Sequence, residues 1–125
     1  MVITSDSMLP VLKPNDLIVV KPSSIDEIKE GDIIAFDSHL GNLGIIAHRA
    51  IEIYDDHGSI GIDTKGDNED KEDPWVVHDV DLIGKVVQII PDMGILLVGI
   101  VRYFLVAIII ITSIFLLREI MTEHK

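Results

Sequence analysis

Residues 45–53 read Ile-Ile-Ala-His-Arg-Ala-Ile-Glu-Ile and form the longest strand-like stretch of the chain. Four of the nine residues are isoleucines, and β-branched side chains fit the pleated, half-buried surface of a sheet. Tyr54 can extend the strand, and Asp55-Asp56-His57-Gly58 has the composition of a turn. The stretch therefore predicts a central strand, with His48 held rigidly inside it.

Shorter apolar runs on both sides of this stretch predict the other strands. They lie at residues 17–20, 33–36, 59–63 and 85–90, and turn-forming residues bound them. Between them we expect a turn at residues 13–16, one helical turn at residues 25–29 behind a Ser24–Glu27 capping pair, and a loop at residues 38–44. Five or six short strands with almost no helix predict a mainly β domain, built as a sandwich or barrel.

The C-terminal segment is of a different kind. Residues 93–117 contain a single charged side chain, Arg102. As a helix, 25 residues rising about 1.5 Å each would exceed the roughly 30 Å hydrocarbon core of a bilayer. We therefore predict a β-rich domain over residues 1–92, one transmembrane helix over residues 93–118, and a short polar tail over residues 119–125.

The chain of 125 residues has a formal net charge of −11 and no cysteine. Residues 1–92 hold 19 acids (21 less Glu119 and Glu123) against seven bases, which gives −12. So acidic a domain repels phosphate backbones, and we expect no nucleic-acid partner. The absence of cysteine excludes disulfides, thiolate metal sites and cysteine nucleophiles.

Three separated stretches carry side chains suited to acyl transfer. A serine hydroxyl becomes a nucleophile when a base accepts its proton and a further group orients that base. Ser7 lies near the start of the β domain, and His48 lies in the longest strand. The acidic stretch Gly66–Asp73 places five acids in eight positions and supplies Asp67 and Asp73 as orienting groups. Chain order does not decide such a triad, because geometry defines it.

Five boxes in register resemble those of type I signal peptidases. They cover nearly all of the polar part of the chain, from about Thr4 to Gly94. The serine box and the strand after it are Ser5-Asp6-Ser7-Met8-Leu9-Pro10 and Asn15–Val20, and the other boxes are Gly31–Ile34, Ala47–Ile51, Thr64–Asn68 and Gly84–Val86. A histidine stands at position 48, where bacterial members carry lysine, which makes the chain similar to the archaeal and endoplasmic-reticulum type.

The resemblance implies a membrane-bound serine endopeptidase that removes signal peptides from secretory preproteins. Ser7 would be the nucleophile, His48 the general base, and Asp73 the residue that orients His48, with Asp67 supporting the site. The backbone N–H of Ser7 and the Ser5 hydroxyl would bind the oxyanion. The resemblance further implies substrate pockets for small residues at the −1 and −3 positions, and we expect these residues to line them: Val2, Ile3 and Met8.

The same resemblance implies a setting for the enzyme. The catalytic domain would lie on the extracytoplasmic side of the cell membrane, with the lipid bilayer and the translocon as candidate partners and no cofactor or metal. Members usually carry a transmembrane segment before the serine box. Either the start of this chain is incomplete or the C-terminal span anchors the domain alone.

Two other interpretations remain open from the residues. A self-cleaving regulator of the same fold would use a lysine base, for which Lys65 in the Thr64–Asn68 box is the candidate. A non-enzymatic, membrane-anchored domain would bind calcium through residues 67–73, although that run lacks the glycine and terminal glutamate spacing of an EF-hand.

Overall fold

The computed structural model describes residues 1–38 and 44–123. Its strands are β1 (Leu17–Lys21), β2 (Ile33–Asp37), β3 (Ile45–Asp56), β4 (Ser59–Lys65), β5 (Val76–Val77) and β6 (Leu82–Ile90). A 3₁₀ turn covers Ile25–Glu27, and a single α-helix, α1, covers Met93–Glu123. The predicted fold class, a mainly β domain followed by one long helix, is confirmed.

The six strands form one antiparallel sheet in the order β1-β6-β2-β3-β4-β5. This differs from the sandwich or barrel expected from the strand count. The reason is that β3 pairs with both β2 and β4, while β6 pairs with both β1 and β2. The two longest strands, β3 and β6, thus connect the strands into one sheet, whereas the local sequence is equally compatible with two sheets.

Two clusters of buried apolar side chains pack against this sheet. The first, centred on Phe36, includes Ile34 and Ile62 with the 3₁₀-turn residue Ile25. The second contains Ile3, Met8, Leu12, Ile18 and Ala47. Because three members of the second cluster lie within residues 3–12, the segment containing Ser7 is anchored by its apolar neighbours.

The observed elements are longer than the predicted ones at several ends. β3 continues to Asp56, so the predicted four-residue turn shrinks to His57 and Gly58, both at positive φ (55° and 90°). That conformation suits a tight two-residue hairpin. The two-residue strand β5 was not predicted, and the central part of the predicted loop at 38–44, residues 39–43, lies outside the described residues.

Helix α1 is the one helix, within the described part of the chain, that is long and apolar enough to cross a membrane, over Met93–Thr122. Its 31 residues correspond to about 46 Å at 1.5 Å per residue. The helix runs past the predicted end at residue 118, so the first part of the expected polar tail is helical. Most of its large apolar side chains are exposed, which agrees with a helix that could cross a bilayer.

The start of α1 is hydrogen-bonded to the turn before β1. The buried Asp16 carboxylate accepts the Asp92 N–H (3.1 Å), and the Asn15 carbonyl accepts the Gly94 N–H (2.8 Å). The same turn exchanges two backbone hydrogen bonds of 2.8 Å with Ile3. The helix is therefore tied to the N-terminal segment that leads to Ser7.

Candidate active site

Ser7 lies in a series of turns between the N-terminal segment and β1. The Leu9 N–H donates to the Asp6 carbonyl (3.1 Å) and the Leu12 N–H to the Met8 carbonyl (2.9 Å). Met8 and Leu12 are packed in the core, at 2% and 0% exposure, while Ser7, next to Met8, is half-buried. Core packing on one side of the turn thus directs the Ser7 hydroxyl to the other.

His48 lies on β3 and is buried, with 6% of its surface exposed. Its Nε2 atom is 3.0 Å from Ser7 Oγ, and its Nδ1 atom is 2.7 Å from Asp73 Oδ2. A carboxylate accepts hydrogen bonds, so the pairing assigns the proton of neutral His48 to Nδ1 and leaves Nε2 as the acceptor for the Ser7 hydroxyl. The three side chains form one continuous series.

Asp73 is also hydrogen-bonded to Thr64. The Thr64 hydroxyl donates to Asp73 Oδ2 at 2.6 Å, and the Asp73 N–H donates to the Thr64 carbonyl at 2.8 Å. The Asp73 side chain is only 3% exposed. One carboxylate oxygen therefore receives two hydrogen bonds away from bulk water, where such bonds are strongest.

Asp67 faces a different partner. Its two carboxylate oxygens accept hydrogen bonds from Arg49 Nε and Nη2, each at 2.7 Å, and Arg49 Nη1 donates to the Gly31 carbonyl at 2.6 Å. The hydrogen bond to Asp67 raises the pKa of Arg49, against the opposing effect of burial. Asp67 thus fastens the loop after β4 to β3 and to the Gly31 turn, one residue away from His48 along β3.

Residues 66–68 contact Ser7 and both of its neighbours in the chain. The Asn68 N–H donates to the Ser7 carbonyl (2.8 Å), the Asn68 side-chain amide donates to the Asp6 carbonyl (3.3 Å), and the Asp67 N–H points at Met8 Sδ (3.4 Å). Gly66 lies so close that a Cβ atom there would be 2.6 Å from the Ser7 carbonyl oxygen. The loop that carries the acids therefore also sets the position of the serine.

Ser5 lies on the open side of Ser7. The two hydroxyl oxygens are 3.2 Å apart, and Ser5 is exposed. A hydroxyl at this distance from Ser7 Oγ would be within reach of an oxygen atom bonded to a carbon that Oγ attacked.

A cleft of about 800 Å³ opens beside these side chains. Residues 1–5 and 45–48 form one part of its lining, Ser7 and Met8 the floor near the hydroxyl, and residues 69–75 the remaining wall. The three predicted pocket residues, Val2, Ile3 and Met8, all line it, but Ile3 and Met8 are buried and offer only a small part of their surface. The cleft is apolar on the side of the N-terminal segment and acidic at residues 69–73.

The structure brings together Ser5, Ser7, His48 and Asp73 in one place, and it places Asp67 beside them in a separate ion pair. His48, and not Lys65, faces the Ser7 hydroxyl. Across the residues described, no group of three or more His, Asp or Glu side chains has an arrangement that could hold a metal ion. Sequence reasoning did not assign functions to Thr64 or Gly66, although both lie in a recognised box. Side chains alternate between the two faces of a strand, and this alternation could have indicated that Thr64 lies on the buried face.

A hydroxyl, an imidazole and a buried carboxylate joined in this order form the geometry of a Ser-His-Asp hydrolase site, here on a β-sheet domain. No family model matches the chain. The chain is similar to the signal peptidase complex catalytic subunit SEC11C of Homo sapiens, Mus musculus and Canis lupus familiaris, with 29% identity over 101 residues in each case. The matched region is 74% of this chain and 52% of each relative, so the chain spans about half the length of the curated relatives it matches. The resemblance to signal peptidases is thereby confirmed.

Proposed function

We propose that the protein is a membrane-bound serine endopeptidase that removes N-terminal signal peptides from secretory preproteins. The observation that carries the proposal is the series Ser7–His48–Asp73, with contacts of 3.0 and 2.7 Å beside an open cleft. The similarity to signal peptidase catalytic subunits supports the substrate class, because the hydrolase geometry alone leaves the substrate open.

The chemistry follows from the direction of the hydrogen bonds. His48 Nε2 takes the Ser7 proton as Oγ attacks the scissile carbonyl carbon, and the positive imidazolium is stabilised by Asp73. The tetrahedral intermediate collapses, His48 returns the proton to the leaving amine, and an ester joins the signal peptide to Ser7. A water molecule, deprotonated by His48, then hydrolyses that ester and regenerates the Ser7 hydroxyl.

The negative oxygen of the intermediate requires donors already in place. We assign this role to the Ser7 backbone N–H and the Ser5 hydroxyl, whose oxygen lies 3.2 Å from Ser7 Oγ. Loss of one such donor lowers kcat by about 10²–10³-fold in comparable sites. The Asn68 side-chain amide supports this assignment, because it donates to the Asp6 carbonyl (3.3 Å), which shares a peptide plane with the Ser7 N–H.

The cleft supports a narrow choice of substrate side chains. Ile3 and Met8 are packed in the core and present a fixed apolar surface to the cleft. Val2 adds an apolar edge. Small residues at −1 and −3 of the substrate fit such shallow, apolar sites.

The membrane setting rests on α1 and its attachment. We place the catalytic domain on the extracytoplasmic side of the cell membrane as a single-pass protein, where a preprotein emerges from the translocon. Tethering enzyme and substrate to the same bilayer raises their effective concentration. Asp67 supports the site from the side, by fixing the loop that contacts Ser7.

The test is cleavage of a preprotein by the full chain in liposomes, with the product identified by mass. Ser7→Ala and His48→Ala should lose on the order of 10⁴-fold or more in kcat, and Asp73→Asn about 10³–10⁴-fold. Asp67→Asn should lose far less, because its partner is Arg49. Asp26→Asn, an exposed site on the 3₁₀ turn, is the matched control. Cleavage by Ser7→Ala at the wild-type rate would refute the proposal.

A further inference from the structure

Thr64 is a fully buried residue at the centre of the site's supporting structure, with 0% of its surface exposed. Its hydroxyl donates to the same Asp73 oxygen that faces His48, at 2.6 Å, while the His48 contact measures 2.7 Å. Burying a hydroxyl costs free energy unless it is hydrogen-bonded, and valine would fill nearly the same space without that cost. The hydrogen bond is therefore the feature that distinguishes threonine here.

Sheet register explains why Thr64 reaches the site. Thr64 on β4 pairs with Ala50 on β3, and Ala50 lies two residues beyond His48. Side chains two apart along a strand share a face, so Thr64 and His48 lie on the same side of the sheet. Ala50 between them in this pairing has a small, fully buried side chain. The Asp73 carboxylate contacts the His48 and Thr64 side chains on this face.

A carboxylate that orients an imidazole must itself be held in one rotamer. A single hydrogen bond from His48 would leave the Asp73 carboxylate able to rotate about its bond to Cβ. The Thr64 hydroxyl restricts that rotation, because a β-branched side chain on a strand has few χ1 positions. The hydrogen bond from the Asp73 backbone N–H to the Thr64 carbonyl fixes the main chain of Asp73.

We propose that Thr64 is a positioning residue for catalysis, which holds Asp73 Oδ2 where it fixes the ring and tautomer of His48. The inference rests on the proposed function and extends the Ser7–His48–Asp73 series by a fourth member. Thr64 acts through Asp73 and does not touch the substrate. Its effect should therefore fall on kcat and leave KM nearly unchanged.

The experiment compares Thr64→Val, Thr64→Ala and Thr64→Ser in the full chain in liposomes, with wild type and Ser7→Ala in the same series. Valine removes the hydroxyl donor but keeps the branched shape of threonine, and alanine removes both. Serine keeps the donor. We expect kcat to fall by about 10- to 100-fold in the valine and alanine variants, and serine to restore most of it. KM should move little for valine. The unfolding midpoint, followed through the fluorescence of the single tryptophan, Trp75, should fall, because a hydrogen bond to a buried carboxylate is lost, and it shows whether the variant is still folded under the assay conditions.

A second readout separates positioning from a merely structural role. In the Asp73→Asn background, Thr64→Val should cause little further loss, because residues that act as one unit are non-additive. The proton NMR signal of the His48 Nδ1–H, identified by its loss in His48→Ala, should shift in Thr64→Val and return in Thr64→Ser.

The possible outcomes are distinct. Wild-type kcat in Thr64→Val, equal impairment of the serine and valine variants, or full additivity with Asp73→Asn would each overturn the assignment of Thr64. If valine prevents folding, the kcat of the alanine and serine variants decides the question in the same way. If wild type does not cleave the preprotein, or Ser7→Ala cleaves it equally well, the proposed function fails instead.

Discussion

Arg49 holds Asp67 by two hydrogen bonds of 2.7 Å, one from Nε and one from Nη2, to the two oxygens of the same carboxylate. The pair joins β3 to the loop that contacts Ser7. Arg49 is adjacent to His48 in the chain, yet alternation along the strand sends the two side chains to opposite faces. The His48 side chain contacts Ser7, and the Arg49 side chain contacts Asp67 in the loop after β4.

The first prediction concerns this pair. Asp67→Asn removes the charge and one acceptor while keeping the size, and should lower the free energy of unfolding by about 1–2 kcal/mol, since the pair is partly exposed. Urea unfolding in detergent, followed by Trp75 fluorescence, measures it. Asp70→Asn, an exposed acid on the same loop, is the control and should leave the midpoint unchanged. Equal midpoints for wild type and Asp67→Asn would contradict a stabilising pair.

The second prediction concerns the contact between Gly66 and Ser7. Alanine at position 66 would place its Cβ 2.6 Å from the Ser7 carbonyl oxygen, so one of the two backbones must move. Displacement of a nucleophile by about 1 Å can cost on the order of 10²-fold in rate. We therefore expect Gly66→Ala to lose much more kcat/KM than its change in unfolding midpoint explains.

Gly99→Ala is the control for this substitution, because nothing lies within 4 Å of a Cβ at that position. Preprotein cleavage by both variants gives the comparison. A Gly66→Ala enzyme as active as Gly99→Ala would show that the close approach does not position Ser7.

The third prediction is a dependence of stability on pH through Asp32. Burial alone would raise the pKa of Asp32, but the hydrogen bond from Lys85 Nζ, 2.6 Å from Oδ1, the Lys29 N–H and the two lysine charges together lower it. A group whose pKa is lower in the folded state binds fewer protons there than in the unfolded chain. Its stabilisation is therefore present above the unfolded value, near 4, and is lost as the pH falls through the folded value.

Unfolding in urea at pH 7 and at a series of values down to about 3 tests this dependence. Asp32→Asn should be less stable than wild type at pH 7 by less than about 1 kcal/mol, since Lys85 is well exposed, and the difference should shrink in acid. Asp26→Asn is the matched control on the exposed 3₁₀ turn. A difference that stays constant over this range would argue against the ion pair as its cause.

The fourth prediction concerns the junction between the domain and α1. A Cβ at Gly94 would lie 2.6 Å from Val2 Cγ1 and 2.7 Å from the Asn15 carbonyl oxygen. Gly94→Ala should therefore destabilise the domain by about 1–3 kcal/mol, despite the better helix propensity of alanine. Gly99→Ala, in the same helix with open space around it, should be neutral or slightly stabilising.

Val2 lines the cleft, so the same displacement should also reach the active site. We expect Gly94→Ala to reduce cleavage of a short soluble peptide as well as of a membrane-bound preprotein. Loss confined to the membrane-bound substrate would instead assign the effect to the orientation of the domain over the bilayer.

Local sequence predicted most of the elements of this protein, but it missed the two-residue strand β5 and several strand and helix ends. The runs of β-branched residues at 17–20, 33–36 and 45–53 predicted strands, because side-chain shape and alternation act over a few residues. The apolar segment after residue 92 predicted the long helix, since length and composition alone decide whether a helix can cross a bilayer. Ser7 and His48 were recognisable because they lie within short, characteristic boxes.

Tertiary structure decided the arrangement of those elements and the partner of each acid. Asp67 and Asp73 lie on one loop, six residues apart, and spacing alone does not show which carboxylate reaches a strand 18 or 25 residues earlier in the chain. The path of the loop past Thr64 brings Asp73 to His48, while Arg49, on the opposite face of β3, takes Asp67. Strand order, in which β6 inserts between β1 and β2, likewise depends on pairing between residues far apart in the chain. Such long-range contacts form only when the whole sheet is assembled, so no local pattern encodes them.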